Sequence, residues 1–236
     1  SSSNTLSGLR IRNPADGPAI EILDRSDFNR VLVSTVIGAH ATLNTGAAIR
    51  ISKSSGTLLS SLYVQSSTPV WVSGSTNTMI GGSVLVSTNS AGYGIRVTDG
   101  GLGLTVASST LLGSGGNAAQ ATPYGIWVAR AFSGPVTLTT NTLRGHMVGI
   151  GMDRMAGGAA YISSNTVLPL SLTLSNPMGI YFDGFGGTAK ATLDGNSVYF
   201  RDIAGGPQAF GAFIRDTNAA ALRRNRISYP NTCSVG

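Results

Sequence analysis

The sequence predicts an all-β protein, a right-handed parallel β-helix (solenoid) of about eight to nine coils with three strands in each coil. Three observations favour this fold. Two short motifs recur along the whole chain, one of them alternates strictly between apolar and outward residues, and 32 of the 236 residues are glycine. Because a single coil cannot bury its own inner face, such repeats stack and bury a continuous apolar interior together.

The first motif is a pair of mostly small polar residues followed by an apolar residue. Its nine members are Ser7-Gly8-Leu9, Ser34-Thr35-Val36, Ser60-Ser61-Leu62, Asn77-Thr78-Met79, Ser109-Thr110-Leu111, Asn141-Thr142-Leu143, Asn165-Thr166-Val167, Asn196-Ser197-Val198 and Asn225-Arg226-Ile227. The spacings between their apolar residues are 27, 26, 17, 32, 32, 24, 31 and 29, which predicts connecting loops of variable length. The interval of 17 residues is the weak point of the pattern.

A second apolar column lies five residues before the apolar position of the first motif. It contains Val31, Val106, Leu138, Ile162, Leu193 and Leu222, and it is interrupted by Thr57 and Gly74. Each coil is therefore predicted to carry two short strands separated by a polar turn. Asparagine suits this turn because it tolerates the left-handed conformation and bonds to neighbouring backbone groups. The turn asparagines, which would form a ladder in register, are Asn77, Asn141, Asn165, Asn196 and Asn225.

The second motif is a small residue followed by an apolar, an outward and an apolar residue. Its eight members are Ala19-Ile20-Glu21-Ile22, Ala48-Ile49-Arg50-Ile51, Pro69-Val70-Trp71-Val72, Gly94-Ile95-Arg96-Val97, Gly125-Ile126-Trp127-Val128, Gly149-Ile150-Gly151-Met152, Gly179-Ile180-Tyr181-Phe182 and Gly211-Ala212-Phe213-Ile214. Such alternation is typical of a half-buried strand whose apolar pair faces inward. These segments fall between successive members of the first motif, so they supply the third strand of each coil.

Two segments carry a resemblance to a known family: Leu193-Asp194-Gly195-Asn196-Ser197-Val198 and Leu222-Arg223-Arg224-Asn225-Arg226-Ile227. With this pattern, nearly the whole chain resembles the pectate-lyase-like superfamily of right-handed β-helices. That superfamily includes polysaccharide lyases, glycoside hydrolases, epimerases, phage tailspikes and non-catalytic surface proteins, so the resemblance implies an architecture and not one activity. An antiparallel β-sandwich is the alternative fold, because short regular strands also suit it.

The composition describes a basic protein with few charges. Charged residues make up 11% of the chain, and the net charge of +6 comes from 14 Arg and 2 Lys against 10 acidic residues. The basic residues are scattered and do not interleave with aromatic residues, so no nucleic-acid partner is expected. No apolar run of 18 residues occurs, so no membrane insertion is expected. Cys233, the single cysteine, can form neither an internal disulfide nor a cysteine metal site.

The sequence predicts a single β-helix domain over residues 1–236, which we expect to be excised from a larger extracellular protein. Its high content of Gly, Ser, Thr and Asn is typical of secreted or cell-surface proteins. Flanking domains or self-assembly are expected at the coil ends, because the ends of a solenoid are open sheet edges that need caps or partners.

The outward residues of the second motif are predicted to form a column along the solenoid axis: Glu21, Arg50, Trp71, Arg96, Trp127, Gly151, Tyr181 and Phe213. Successive coils stack about 4.8 Å apart, so neighbours in the column would lie side by side. Aromatic rings stack on sugars and guanidinium groups bind carboxylates or sulfates, which indicates a polysaccharide partner, in particular an acidic one. The predicted contacts are Arg50, Trp71, Arg96, Trp127, Tyr181 and Phe213. Packing between coils, or a protein partner, would explain the same residues.

Two positions further along the same strands, Asp153, Asp183 and Arg215 fall on consecutive coils. In the β-helix enzymes that the chain resembles, clustered acidic groups act on this face, with Arg or Lys as the base in some lyases. These three residues are the candidate catalytic residues, and His146 is a weaker helper. The two aspartates could also hold Ca²⁺ against a uronate, and no other metal or cofactor is expected. A solvated ion pair with turn-forming aspartates is the structural alternative.

Three functions remain open from the sequence. The favoured one is an extracellular β-helix domain that binds polysaccharide, or serves as a surface or fibre module, through its aromatic and Arg face. The first alternative is a polysaccharide lyase or glycoside hydrolase that acts on an acidic glycan, and the second is a purely structural assembly module. No phosphate-binding loop, zinc motif, or serine or cysteine catalytic motif is present in the sequence.

Overall fold

A computed structural model describes residues 3–24, 26–38, 46–89, 92–114, 122–129, 132–169, 177–184, 189–200 and 209–229, and Cys233 lies outside these ranges. The described residues form 25 strands and no helix, so none of them belongs to a helix that could cross a membrane. All strand pairs are parallel, as in β1 with β4 and in β20 with β23. This confirms the predicted parallel β-solenoid and excludes the antiparallel sandwich. The extent of a single domain over residues 1–236 stays a prediction.

The strands form three stacks, and the chain visits the stacks in the same order in every coil. The first sheet contains β1 (Thr5–Ser7), β4 (Arg30–Leu32), β7 (Leu58–Ser60), β10 (Thr76–Gly81), β13 (Leu102–Ala107), β16 (Val136–Thr139), β18 (Ala159–Ser163), β21 (Lys190–Asp194) and β24 (Ala219–Arg223). The second contains β2 (Arg10–Arg12), β5 (Thr35–Ile37), β8 (Tyr63–Ser66), β11 (Val84–Ser87), β14 (Thr110–Leu112), the start of β17 (Thr142–Met155), β19 (Thr166–Pro169), β22 (Ser197–Tyr199) and β25 (Arg226–Ser228). The third contains β3 (Ile20–Ile22), β6 (Ala47–Ser52), β9 (Thr68–Ser73), β12 (Tyr93–Thr98), β15 (Thr122–Val128), the rest of β17, β20 (Met178–Gly184) and β23 (Phe210–Arg215).

One strand, β17, continues around the corner between the second and third sheets and joins them. The corner falls at Gly145, which has a φ of +76°, and the register with β19 shifts between Arg144 and His146. A left-handed glycine allows this bend without a steric penalty. The second and third sheets are therefore hydrogen-bonded into one surface at this coil.

The number of enclosed turns is slightly smaller than the sequence predicts. Of the nine strands in the first sheet, seven have a neighbour on both sides. The terminal strands β1, β2, β24 and β25 are mostly exposed, because each end coil is covered on one side only. The solenoid thus has about seven turns that are buried from both sides, against the eight to nine coils expected.

The apolar interior consists of columns that run parallel to the axis. In the first sheet, Leu59 and Ile80 occupy the core column between Val31 and Val106, where the sequence pattern placed Thr57 and Gly74. In the second sheet the core column reads Ile11, Val36, Val64, Leu85, Leu111, Leu143, Val167, Val198 and Ile227. Each fully buried side chain of this size contributes roughly 1.5–3 kcal/mol through removal from water.

Three members of the first motif were therefore assigned out of register. The core column of the second sheet contains Ile11, Val64 and Leu85, in place of Leu9, Leu62 and Met79, and Leu62 is buried two residues before Val64. Met79 is 51% exposed in the first sheet. With the correct residues, the anomalous interval of 17 disappears, and Val64, Leu85 and Leu111 follow at spacings of 21 and 26.

The predicted asparagine ladder is present for four of its five members. The Oδ1 atom of Asn165 accepts the backbone N–H of Asn141 at 3.0 Å, and Asn196 and Asn225 continue the series at 3.1 and 3.0 Å. The left-handed conformation does not belong to these asparagines but to the residues before them: Thr140, Ser164, Gly195 and Arg224. Asn77 is the exception, because it is exposed, has a φ of +52° itself, and lies in strand β10 outside the ladder.

Candidate functional site

The outward column of the third sheet has the register that the second motif predicts. Strand pairing places its members on successive coils in the order Glu21, Arg50, Trp71, Arg96, Trp127, Gly151, Tyr181 and Phe213. All six residues predicted to contact a polysaccharide therefore lie on one line along the axis, with about 4.8 Å between neighbouring strands. We call these eight residues the outward column.

The small residue of the second motif faces the interior, which alternation alone does not predict. A Cβ on Gly125 would lie 2.7 Å from Leu143 Cδ2, and one on Gly179 would lie 2.5 Å from Val198 Cγ1. Because this residue and the next both face the core, the strand bends there and the residue before it faces outward. The outward residues added by this bend, which the sequence analysis missed, are Tyr93, Tyr124, Val148, Met178 and Phe210. The sequence signal for these outward residues is the small residue that recurs directly after each of them.

The first half of the outward column is a stack of guanidinium and indole groups. The guanidinium carbons of Arg50 and Arg96 lie 5.4 and 4.8 Å from the Trp71 ring centroid. Glu21 bonds to Arg50 at 3.3 Å, and the indole N–H of Trp71 donates to Thr98 Oγ1 at 2.8 Å. Cation–π contacts of this kind contribute about 0.5–1 kcal/mol at exposed sites. Packing between coils therefore explains these residues here, and both guanidinium groups are still partly exposed at the surface.

A carboxylate lies beside this stack, at the turn after strand β12. The hydroxyls of Ser73 and Thr98 donate to Asp99 Oδ2 at 2.7 and 2.9 Å. These hydrogen bonds, with the charge of Arg96 as a smaller cause, lower the pKa of Asp99 below its usual value. Asp99 therefore stays ionised and balances part of the positive charge at this end of the column.

The second half of the outward column begins with overlapping aromatic rings. The rings of Tyr93 and Tyr124 are stacked with centroids 5.7 Å apart, and the Tyr124 and Trp127 centroids are 4.2 Å apart. On the next coil, a Cβ at Gly151 would lie 2.7 Å from Trp127 Cε3 and 3.0 Å from Tyr124 Cδ1. Since any larger residue would displace these rings, Gly151 is what allows them to lie across the backbone of β17.

An open groove of about 550 Å³ lies between the rings of β15 and those of β20. Its lining residues are Tyr124, Trp127, Met147, Val148, Asp153, Met178 and Tyr181. The outward side chains of the strand between the two walls, Val148 and Gly151, are small. The backbones of β15 and β20 stand two coil spacings apart, roughly 9.6 Å, and the Trp127 ring covers the part of this distance that lies over Gly151.

The far wall of the groove is held by a polar cluster. The Arg215 guanidinium donates to Asp183 Oδ2 at 2.8 Å and to the Tyr181 hydroxyl at 3.2 Å, and that hydroxyl donates to Asp183 at 3.3 Å. Phe213 stacks on Tyr181 with centroids 5.9 Å apart. Burial and the neighbouring carboxylate raise the pKa of Tyr181, and the ion pair raises that of Arg215. Tyr181 is thus a protonated phenol, held by the hydrogen bonds of its hydroxyl and by the packing of Phe213 on one face of its ring.

The predicted column of Asp153, Asp183 and Arg215 is interrupted. Asp183 pairs with Arg215, but the register shifts so that Met152 opposes Phe182 and Met155 opposes Gly184. Two residues of β17 therefore face one of β20, which is a bulge that separates Asp153 from direct pairing with Asp183.

The two carboxylates consequently have different surroundings. Asp183 is only 2% exposed and is bound to Arg215, whereas Asp153 is partly exposed and lines the groove. The predicted catalytic roles of both residues stay predictions, because nothing in the geometry distinguishes a catalytic carboxylate from a binding one.

His146 does not join this cluster. Its side chain is buried inside the solenoid near Gly113 and Gly125, and neither ring nitrogen has a hydrogen-bond partner among the described residues. Burial lowers its pKa to about 3, so the ring is neutral at physiological pH. It is absent from the residues that line the groove, and its predicted role as a catalytic helper stays a prediction.

Metal binding is not supported by any further residue. In the described part of the chain, no three His, Cys, Asp or Glu side chains come together in a way that could hold an ion. Ca²⁺ prefers about six to eight oxygen ligands, more than Asp153 and Asp183 can supply. The Ca²⁺ site at these two residues stays a prediction.

Comparison with known proteins gives no relative to argue from. No protein-family model matches the chain, and neither the curated proteins nor the solved structures contain a significant match. The function therefore has to be argued from the outward surface of the third sheet.

Proposed function

We propose that this protein is a secreted or cell-surface module that binds a polysaccharide along the outward face of its third sheet. The observation that carries the proposal is the groove bounded by Tyr124 and Trp127 on β15 and by Tyr181 on β20. Aromatic faces stack on the apolar faces of sugar rings, while hydroxyl and carboxylate groups at the edge bind sugar hydroxyls. The groove opens to solvent, so a ligand in it can extend beyond the part that its two walls enclose, as a chain of sugars does.

Arg50 and Arg96 support an acidic ligand at the other end of the same column. Their guanidinium groups lie on Trp71, about two coil spacings apart, and their positive charge attracts a carboxylate or sulfate. A polysaccharide that follows the axis would pass from these groups to the groove. The parallel solenoid also supports membership of the pectate-lyase-like superfamily, whose sugar-binding members act on the equivalent face.

Binding is favoured over catalysis because of the state of Asp183. A retaining glycosidase needs two carboxylates that both reach the scissile bond, about 5 Å apart. Asp183 is instead nearly buried and paired with Arg215 at 2.8 Å, and a bulge removes Asp153 from its register. A lyase or hydrolase is retained as an outcome of the test.

The test is affinity electrophoresis through native gels that contain neutral, acidic or amino polysaccharides. We expect at least one glycan to retard the protein, and Trp127→Ala or Tyr181→Ala to abolish the retardation. Tyr161→Ala is the matched control, because Tyr161 is 50% exposed on the first sheet, away from the groove.

Two results would contradict the proposal. The first is that no glycan in the panel retards the protein. The second is that Tyr161→Ala weakens the retardation as much as Trp127→Ala does. New reducing ends or ultraviolet-absorbing products, lost in Asp153→Asn, would instead support an enzyme.

A further inference from the structure

The groove has an electrostatic asymmetry that stacking on a neutral sugar does not require. Among its described lining side chains, Asp153 has the one carboxyl group, and the others are aromatic, aliphatic or thioether groups. Burial is the main cause that raises the pKa of Tyr124 and Tyr181, and the negative charge of Asp153 raises the pKa of both further. The charge of Asp153 therefore acts on both aromatic walls, and at Tyr181 the guanidinium of Arg215 opposes it.

Ring faces and a carboxylate together are the groups that bind an organic cation. The negative face of an aromatic ring attracts an ammonium group by about 0.5–2 kcal/mol, depending on how far the contact is desolvated. The two oxygens of a carboxylate offer about four acceptor positions, so Asp153 can receive a ligand N–H in addition to bonds within the protein. Tyr124 and Trp127, with centroids 4.2 Å apart, present a double aromatic wall to the same space.

The same sheet already contains cations bound in this way. Arg96 lies 4.8 Å from the Trp71 centroid and 5.2 Å from the Tyr93 centroid, so one guanidinium is shared by an indole and a phenol ring. Trp127 and Tyr124 bring the same two ring types together within one coil, in register with Arg96 and Tyr93. On the following coil, the position that Arg96 has in its own coil is occupied by Gly151. In that coil Val148 stands at the position of Tyr93 and the Trp127 ring lies over Gly151, so the ring surface that a ligand cation can reach is the one turned toward Asp153 and Tyr181.

We propose that the groove selects a hexosamine residue whose amino group is unsubstituted and protonated. Its ring lies against Trp127, and its ammonium group lies between the Asp153 carboxylate and the face of Tyr181. This inference rests on the proposed function, since it names the sugar at the same site. It also gives the bound chain a direction, because acidic groups are drawn to Arg50 and Arg96 at the other end.

The experiment compares two oligosaccharides of equal length, one of β-1,4-linked glucosamine and one of N-acetylglucosamine, by isothermal titration calorimetry at pH 6. The two differ at the nitrogen, which is a protonated amine in the first and an uncharged acetamide in the second. We expect the amino form to bind about tenfold more tightly, which corresponds to ~1.4 kcal/mol. Asp153→Asn should remove this preference while N-acetylglucosamine still binds, and Asp153→Glu should keep it. Asp194→Asn is the matched control, because Asp194 lies on the first sheet and pairs with Arg224.

The outcomes separate this inference from the function on which it rests. Equal affinity for the two oligosaccharides, unchanged in Asp153→Asn, would overturn the hexosamine assignment and leave polysaccharide binding intact. Failure of every glycan to bind would remove both. The preference should also weaken as salt is raised from 50 to 500 mM, on the order of severalfold, because a partly exposed ion pair is screened. A preference that does not respond to salt would contradict the role of charge.

Discussion

Removing one side chain from the asparagine ladder should destabilise the whole solenoid. In Asn165→Ala, Asn141 loses the partner of its backbone N–H and of one side-chain N–H, both bonded to Asn165 Oδ1 at 3.0 Å. The Leu138 carbonyl and Asn196 Oδ1 also each lose a donor, at 2.9 and 3.0 Å. Leaving a buried donor unpaired costs about 1–3 kcal/mol, so the two orphaned donors alone predict a loss of ~2–6 kcal/mol. That is a large part of the roughly 5–15 kcal/mol that holds a domain folded.

Urea unfolding followed by circular dichroism measures this loss, with the midpoint compared at an unchanged slope. Asn77→Gly is the control, because Asn77 is exposed, lies outside the ladder and has a left-handed backbone that glycine also adopts. We expect the control to change the free energy of unfolding by less than about 0.5 kcal/mol. If Asn165→Ala is as stable as Asn77→Gly, the ladder does not stabilise the fold in the way described.

Three further predictions concern the groove and the core. Gly151→Ala should displace the Trp127 ring, whose Cε3 lies 2.7 Å from the new Cβ, and reduce glycan retardation in gels without lowering the melting temperature appreciably. Asp183→Asn should weaken the hydrogen bonds that hold Arg215 and Tyr181, lower the free energy of unfolding by ~1–2 kcal/mol and weaken glycan binding severalfold. Unchanged binding would show that Tyr181 does not depend on Asp183 for its position. His146, with a pKa of about 3 in the folded state, binds fewer protons than in the unfolded chain below pH 6.5. Stability should therefore fall by ~2 kcal/mol between pH 6.5 and pH 5, and a His146→Leu variant should lose less; equal losses would refute the burial argument.

The part of the fold that sequence reasoning predicted well is the part with strict alternation. Every residue of the outward column, from Glu21 to Phe213, has the register that the second motif indicates, because a single outward side chain between two apolar ones leaves one possible register. The first motif was less reliable at Leu9, Leu62 and Met79, because runs of Ser, Thr and Gly match a small polar pair at several neighbouring positions. Spacing alone could not choose among them.

The candidate site was predicted as a line of residues and not as a groove. Tyr124 was missed because its outward position depends on the bend caused by Gly125, whose inward direction is set by packing against Leu143. The separation of Asp153 from Asp183 depends on a bulge, which no local pattern in the sequence signals. Both features arise from contacts between coils, and these contacts become visible only when the coils are stacked.

Binding of a polysaccharide chain to the outward column can be tested directly through tryptophan fluorescence. Both tryptophans of the chain, Trp71 and Trp127, lie on that column, so the protein carries its own reporters. The measurement is a titration of the Trp71→Phe variant, in which Trp127 is the single reporter, with an oligosaccharide of the glycan that retards the parent protein. We expect a saturable blue shift of the Trp127 emission whose midpoint matches the calorimetric affinity. Saturable calorimetric binding with no change in Trp127 emission would place the ligand elsewhere and contradict binding on the outward column.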